Sequence, residues 1–331
     1  MKPGKLSEVT FKRSVLKSIK CKKSETMLSP NVGEDCAVYE VEADNYVVSS
    51  NATGVYYMKN MAAYITYQAL NNIATSAATP IAIEIILNMP HTAREIRIKE
   101  IMEEINSVCE IEDIQIIGGD TQVSQAVVIP IITINAIGKV SKKSSIYKKD
   151  IQVGDDIIMT KWAGLIGTSL LASYGQEELN KRFPARFVTS ASKLDRYVSI
   201  LTEARIASEY SISSMHDVSR RGIYEALWEL VREKKCGFNI DLRTIPIKQE
   251  TVEICEYYNL NPYILFGTGS LLITAKDGEE IIARLQEEGI NAIIIGKIIE
   301  GNDKIIMHEE KIGYLEGSRL DEIDKIFYKD I

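Results

Sequence analysis

Apolar and polar positions follow two rhythms along this chain, and the first half shows both. Tyr46, Val47, Val48, Ser49 and Ser50 read as a strand. Met58, Met61, Ala62, Ile65, Ala69 and Ile73 then recur at helical spacing and mark one buried stripe. A small-residue turn from Thr75 to Pro80 ends that helix, and Ile81 to Leu87 follows as a strand. Thr92 and Glu95 have the spacing of a capping box, predicting a helix with the core face Ile98, Ile101, Met102, Ile105 and Val108. Ile114 to Ile117 predict a short strand that stops at Gly118-Gly119, and the apolar run Ala126 to Ile137 predicts another.

Lys139 to Asp150 is polar and rich in lysine and serine, and it places a domain boundary there. The second half opens with Val153-Gly154-Asp155-Asp156 and the strand Ile157 to Thr160. A turn with Gly164 and Gly167 leads into a helix toward Tyr174. A helix starting near Asp217 buries Ile223, Leu227, Leu230 and Val231. Strand Leu271 to Ala275, helix Gly278 to Glu288 and strand Ala292 to Ile299 complete the pattern. Interleaved strands and helices in both halves predict an α+β or α/β protein of two domains, at residues 1–140 and 150–331.

Composition narrows the function classes. The chain has 331 residues and a formal net charge of −7, so its overall field repels polyanions. The lysine-rich stretches at 17–23 and 142–149 carry no interleaved stacking aromatics, so no nucleic-acid surface is expected. Five scattered cysteines and three histidines offer no Cys-x-x-Cys pair and no zinc pattern. No window is long and apolar enough for a membrane span, and the first ten residues lack an apolar leader core, so a cytoplasmic protein is expected.

The candidate chemistry lies in four short stretches. Gly118-Gly119-Asp120-Thr121 would set a carboxylate just past a strand end, behind bare backbone N–H groups, where it suits a magnesium ion bridging phosphates. A plain Gly-Gly-Asp turn explains the same residues. Gly33-Glu34-Asp35-Cys36 is a second acidic turn in which Asp35, with Glu34 beside it, offers metal-ligating oxygens; a simple strand entry is the alternative. In Met215 to Gly222, Asp217 or Ser219 would cap the following helix, whose N-terminus, flanked by Arg220 and Arg221, attracts phosphate. His216 reads as a structural hydrogen-bonding group. Gly154, Gly164 and Gly167 fit neither the P-loop nor the dinucleotide fingerprint, so close helix–strand packing explains them.

The order of these pieces resembles the aminoimidazole ribonucleotide (AIR) synthetase, or PurM-like, superfamily. Gly33 to Val38 resembles its Gly-Asp-Asp-Ala-Ala-Val turn, and Asn71 to Pro80 its Asn-Asp-Leu-Ala-x-x-Gly-Ala-x-Pro segment. Gly118 to Thr121 matches Gly-Gly-Asp-Thr, and His216 to Ile223 is similar to Asp-x-Thr-Arg-Gly-Gly-Leu. Lys2 to Leu6, Ile254 to Pro262 and Gly269 to Leu272 add a likeness to the HypE group of hydrogenase-maturation proteins. The resemblance implies an N-terminal sheet domain that forms a homodimer and a C-terminal α/β domain. It also implies ATP with Mg2+ and phosphorylation of a small substrate. Nucleotide contacts carried over by position are Gly33, Asp35, Asn51, Asn72, Gly118, Gly119, Asp120, Thr121, Asp217 and Arg220. Metal ligands would be Asp35 and Asp120, with Glu34 as a weaker third.

The departures define an alternative. Asn51 and Asn72 stand where the superfamily has aspartates, each replacement removing a negative charge from a hard-cation site. Arg221 replaces a glycine. The sequence ends Phe327-Tyr328-Lys329-Asp330-Ile331, without the Pro-Arg-Ile-Cys tail of the HypE group. A degenerate metal site would make the chain a catalytically weakened nucleotide-binding or scaffold homodimer.

Overall fold

The computed structural model describes residues 8–10, 12–13, 16, 24–28, 31–32, 34, 36–41, 44–146, 150–232, 234–309, 311–317 and 320–327. These fall into two compact units. The N-terminal unit lies within Lys22–Pro30 and Asp35–Tyr147; the C-terminal unit lies within Met1–Cys21, Asn31–Glu34 and Lys148–Ile331.

The N-terminal unit is a six-stranded sheet of β1 (Thr26–Leu28), β2 (Ala37–Glu40), β3 (Asn45–Val55), β4 (Thr79–Pro90), β5 (Gln115–Ser124) and β6 (Ile131–Ser141). The strand order is β1-β2-β3-β6-β4-β5. Only β4 and β5 pair in parallel, because helix α2 (Glu95–Glu112) carries the chain back between them. Helix α1 (Met61–Ala74) buries Met61, Ala62, Ile65, Ala69 and Ile73 of the stripe predicted from spacing, while Met58 lies before the helix and is half-buried; the helix packs on β3 and β6.

Period-two alternation sorts the sheet into two faces. Tyr46, Val48, Ser50 and Ala52 of β3 are buried with Ile132, Ile134 and Ala136 of β6. The residues between them, Ser49, Asn51 and Thr53 on β3 and Thr133, Asn135 and Ile137 on β6, are half-buried or exposed. Register makes rows on this open face. Asn51, Asn135, Glu84 and Gly118 form one row, and Thr53, Thr133, Ile86 and Asp120 form the next.

Two local expectations fail. The helix after Thr92 starts at Glu95, with Arg94 at its N-cap in extended backbone and no side-chain cap, so the capping box does not form. The run from Ala126 becomes a strand only at Ile131, because Ser124 Oγ accepts the Ala126 N–H in a turn and Pro130 has no N–H to give a ladder.

The C-terminal unit holds β7 (Asp156–Thr160), β8 (Ile212–Val218), β9 (Cys236–Asp241), β10 (Ser270–Ala275), β11 (Ala292–Glu300), β12 (Lys304–His308) and β13 (Lys311–Tyr314). Their order is β13-β12-β9-β11-β7-β10-β8, with only β9 and β12 parallel. Strands β7 and β10 are buried at every position, around the apolar runs Ile157–Met159 and Leu271–Ile273. Around the sheet lie α3 (Leu165–Tyr174), α4 (Ala185–Ser192), α5 (Leu201–Ser208), α6 (Gly222–Leu230), α7 (Gln249–Tyr258) and α8 (Gly278–Glu287). The core joins Ile157 and Met159 to Val218, Ile223, Leu227, Phe238 and Leu272. A Cβ on Gly167 would sit 2.4 Å from Leu265 Cγ, so this glycine serves close packing.

Candidate functional site

The Gly118 to Thr121 stretch is not a turn past a strand end. Strand β5 continues through it to Ser124, paired with β4 from Ala82–Gln115 to Pro90–Ser124, with an irregularity at Ile83/Glu84. The residue skipped in the register is Ile117, between Ile116 and Gly118, and Gly119 follows two positions later, paired with Ile85. The φ of Gly119 is +142°, and a Cβ there would lie 1.8 Å from the Ile85 carbonyl oxygen. Asp120 is exposed in mid-strand, where its carboxylate accepts a hydrogen bond from Gln122 Nε2 at 2.7 Å. Gly118 leaves room beside Glu84, whose Oε1 would be 3.9 Å from an added Cβ.

Asn51 likewise lies inside a strand rather than at its end, exposed on the open face. Its row carries a polar chain that sequence reasoning missed: Ser49 Oγ donates to Asn135 Oδ1 at 3.1 Å, and Asn135 Nδ2 donates to Glu84 Oε2 at 3.0 Å. The clue was available, since Glu84 and Asn135 each interrupt an otherwise apolar strand. The fold therefore gathers Asn51, Gly118 and Asp120 on one face and adds a second carboxylate, Glu84, to them.

Asn72 sits in the last turn of α1, in the helix layer, where its carbonyl accepts from Thr75 Oγ1 at 2.7 Å. Close by in sequence, Ser76 Oγ is 2.6 Å from Cys36 Sγ, which ties the end of the acidic turn to the end of α1. Glu34 is exposed; Gly33 and Asp35 lie outside the described residues. Among the described residues no three His, Cys, Asp or Glu side chains come together as a metal cluster. Asp120 and Glu84 place two carboxylates on the open face, beside the amide oxygen of Asn51.

The Asp217 to Gly222 stretch also departs from expectation. Asp217 does not cap a helix: it is buried within β8, opposite Leu271 of β10, because strand pairing runs on to Val218. Helix α6 begins at Gly222, and its N-cap is Arg221 in the left-handed region at φ +67°. That conformation explains a glycine at this position in the resembling superfamily, and it costs a side-chain residue about 1 kcal/mol. Compensation is local. The Arg221 N–H donates to Asp321 Oδ2 at 2.6 Å, and its guanidinium meets Glu225 at 2.6 Å and Glu229 at 3.5 Å. His216 Nε2 lies 3.4 Å from Glu229 Oε2, so the histidine joins this buried network.

Arg220 does not stand open to a phosphate. Its Nη2 donates to Asp324 Oδ1 at 2.6 Å, its Nε lies 3.9 Å from Asp321 Oδ2, and its guanidinium carbon is 5.1 Å from the Phe266 ring centre. Asp321 is 1% exposed and accepts the backbone N–H groups of Arg221, Phe266 and Ile323. Burial pushes its carboxyl up to about 6, against the pull of Arg220 and those N–H donors. A second buried ion pair joins Lys161 to Glu203; the Lys161 ammonium also donates to the carbonyls of Tyr197 and Ser199, and burial pushes its pKa down.

Two domains of one family account for this architecture. The N-terminal domain of the AIR synthase related protein family matches residues 33–140, and its C-terminal domain matches residues 152–309. The chain belongs to that family. It is 28% identical over 242 residues to a Methanocaldococcus jannaschii protein named "Putative hydrogenase expression/formation protein", covering 72% of this chain and 70% of that one. Identity to the carbamoyl dehydratase HypE of Rhizobium leguminosarum bv. viciae is 24% over 276 residues, 80% of this chain and 77% of that one. A hydrogenase maturation protein HypE solved in complex with ATP shares the fold, with a TM-score of 0.71, 16% identity, and coverage of 89% of this chain and 92% of that one. No helix among the described residues is long and apolar enough to cross a membrane.

Proposed function

We propose that this chain binds ATP with magnesium and activates an oxygen atom of a small-molecule substrate by phosphorylation, working in the cytoplasm as a homodimer through the sheet of its N-terminal unit. The observation that carries the reading is the open face on which Asn51, Gly118 and Asp120 are gathered by register. The HypE relative solved with ATP supports it. Asp120 and Glu84 would offer the cation hard carboxylate oxygens, and Asn51 a neutral one. Magnesium, when bound, neutralises phosphate charge. Gly118 leaves space for a ligand atom to approach the backbone. By resemblance Asp35 joins the proposed set; Asn72, in the helix layer, lies across the sheet from this face. Catalysis in such a site is positioning and charge neutralisation.

A second reading, nucleotide binding without turnover, is favoured by the two amides at positions 51 and 72. Thermal unfolding with ATP, ADP and Mg2+, separately and together, tests both readings. A magnesium-dependent nucleotide shift with measurable hydrolysis supports the enzyme. A shift without hydrolysis supports the second reading, and no shift at millimolar nucleotide refutes both.

A further inference from the structure

The stretch Asn180 to Leu194 carries Lys181, Arg182, Arg186 and Lys193 and no acidic residue, in a chain whose formal net charge is −7. Helix α4 arranges most of it. Val188 and Ala191 fill the buried side of the helix, while Arg186, Thr189, Ser190 and Lys193 recur at i, i+3, i+4 and i+7 on its exposed side. Lys181 and Arg182 continue the exposed cations into the preceding turn, where their N–H groups donate to the carbonyls of Glu178 and Leu179 at 3.1 and 3.0 Å. Other arginines of this unit are closed by carboxylates: Arg205 by Glu209 at 2.9 Å, Arg232 by Glu8 at 2.6 Å and Arg284 by Glu288 at 2.7 Å. Among the described residues no carboxylate pairs with Lys181, Arg182, Arg186 or Lys193. Beside these cations Phe183 and Phe187 stack at 5.1 Å and stay half-buried, whereas Phe238 and Phe266 lie in the core. Phe183 also meets Tyr257, itself 37% exposed, edge-on at 6.2 Å.

We propose that the exposed side of α4, with the turn before it, docks an acidic segment of a partner protein. Four cations that no internal carboxylate answers keep their attraction for external ones, and the hydroxyls of Thr189 and Ser190 place neutral donors among them. The half-buried step of Phe183 and Phe187 gives such a segment an apolar contact next to the charges, and arginine beside aromatic side chains is the mixture that protein interfaces favour. A nucleic acid fits this face less well. The two phenylalanines are already partnered by each other and by Tyr257, which is not the arrangement of rings that take stacked bases. The eight residues of α4 span about 12 Å, and the charges of a longer polyanion would run past them onto a chain of net charge −7. A short acidic segment ends where the cations end. This docking does not depend on the nucleotide reading.

Fluorescence anisotropy tests it with a labelled peptide of glutamates around one central leucine, titrated with the full chain at low salt, beside the same peptide carrying glutamine for glutamate. Saturable binding of the glutamate peptide alone, falling as salt is raised, is the expected result. Arg182→Gln/Arg186→Gln should weaken it about tenfold, while Lys276→Gln, at an exposed cation on the loop before α8, should leave it unchanged. All three side chains are exposed, so the midpoint of thermal unfolding should stay the same in both variants. No binding, equal binding in the double variant, or a loss as large in Lys276→Gln would overturn the proposal. Tighter binding of a poly-deoxythymidine strand or of phosphatidylserine vesicles, lost in the double variant, would overturn the protein partner in favour of nucleic acid or membrane. Self-association lost in that variant, with no peptide bound, would overturn it in favour of a second copy of the chain.

Discussion

Strand β5 and the turn Ser219 to Gly222 both carry residues that the sequence nominates for phosphate chemistry, yet they are built in opposite ways. Gly118, Gly119, Asp120 and Thr121 are all exposed on an edge strand. In the turn, the N–H of Arg221 and the guanidiniums of both arginines are met by the chain's own carboxylates from Asp321, Asp324 and Glu225. The difference teaches how to weigh such motifs. A donor already answered from inside the chain contributes to stability first, and it serves a ligand only by exchange. An acceptor left on an open face is available for a ligand at once.

The largest expected effect tests the closed region. Asp321→Ala strands three N–H donors in a buried place and should cost about 4 kcal/mol of unfolding free energy, read from urea denaturation. The charge of Asp321 sharpens the point. Its carboxyl is raised to about 6 from 3.8, so the folded state prefers the protonated form. Its favourable contribution is complete below about pH 4 and is lost as pH rises through 6. Asp321→Asn should remove that downward slope between pH 4 and 6; an unchanged slope would place the titration elsewhere.

Next comes the open strand. Gly119→Ala forces a Cβ against the Ile85 carbonyl at a φ of +142° and should cost about 3 kcal/mol, seen as a lower midpoint of thermal unfolding. Arg221→Gly relieves left-handed strain but leaves Glu225 and Glu229 without their cation; a net loss of about 2 kcal/mol is expected, measured in the same way. Glu84→Gln should change stability least, by under about 1 kcal/mol, because Asn135 can still donate to the amide oxygen. Its mark should be weaker magnesium-dependent ATP binding in calorimetry. A large stability loss with unchanged binding would make Glu84 a purely structural residue.

Much of the frame was legible because it depends on periodicity. The α1 stripe, the core helix face Ile101–Ile105–Val108, and the buried strands β7 and β10 all follow from apolar spacing. What was not legible depends on pairing. Gly-Gly looks like a stop, yet parallel register with β4 carries β5 through it at the expense of one irregularity. Asp217 looks like a cap, yet pairing with β10 keeps it in a strand and moves the helix start to Gly222. Asp321 and Asp324 lie a hundred residues from the arginines they hold, a distance that no local pattern spans. Glu84 and Asn135 could have been flagged as polar breaks in apolar strands, but only register sets them beside Asn51.

The central claim is that the open face around Asp120 is the nucleotide and magnesium site. Calorimetric titration of ATP with and without Mg2+ into the unsubstituted chain, the Asp120→Asn variant and the Asn51→Asp variant tests it most directly. Saturable binding that magnesium strengthens, weakened about tenfold or more by Asp120→Asn and tightened by the added carboxylate of Asn51→Asp, is the predicted result. Binding that is the same in all three proteins, or absent from all three at millimolar ATP, would contradict it.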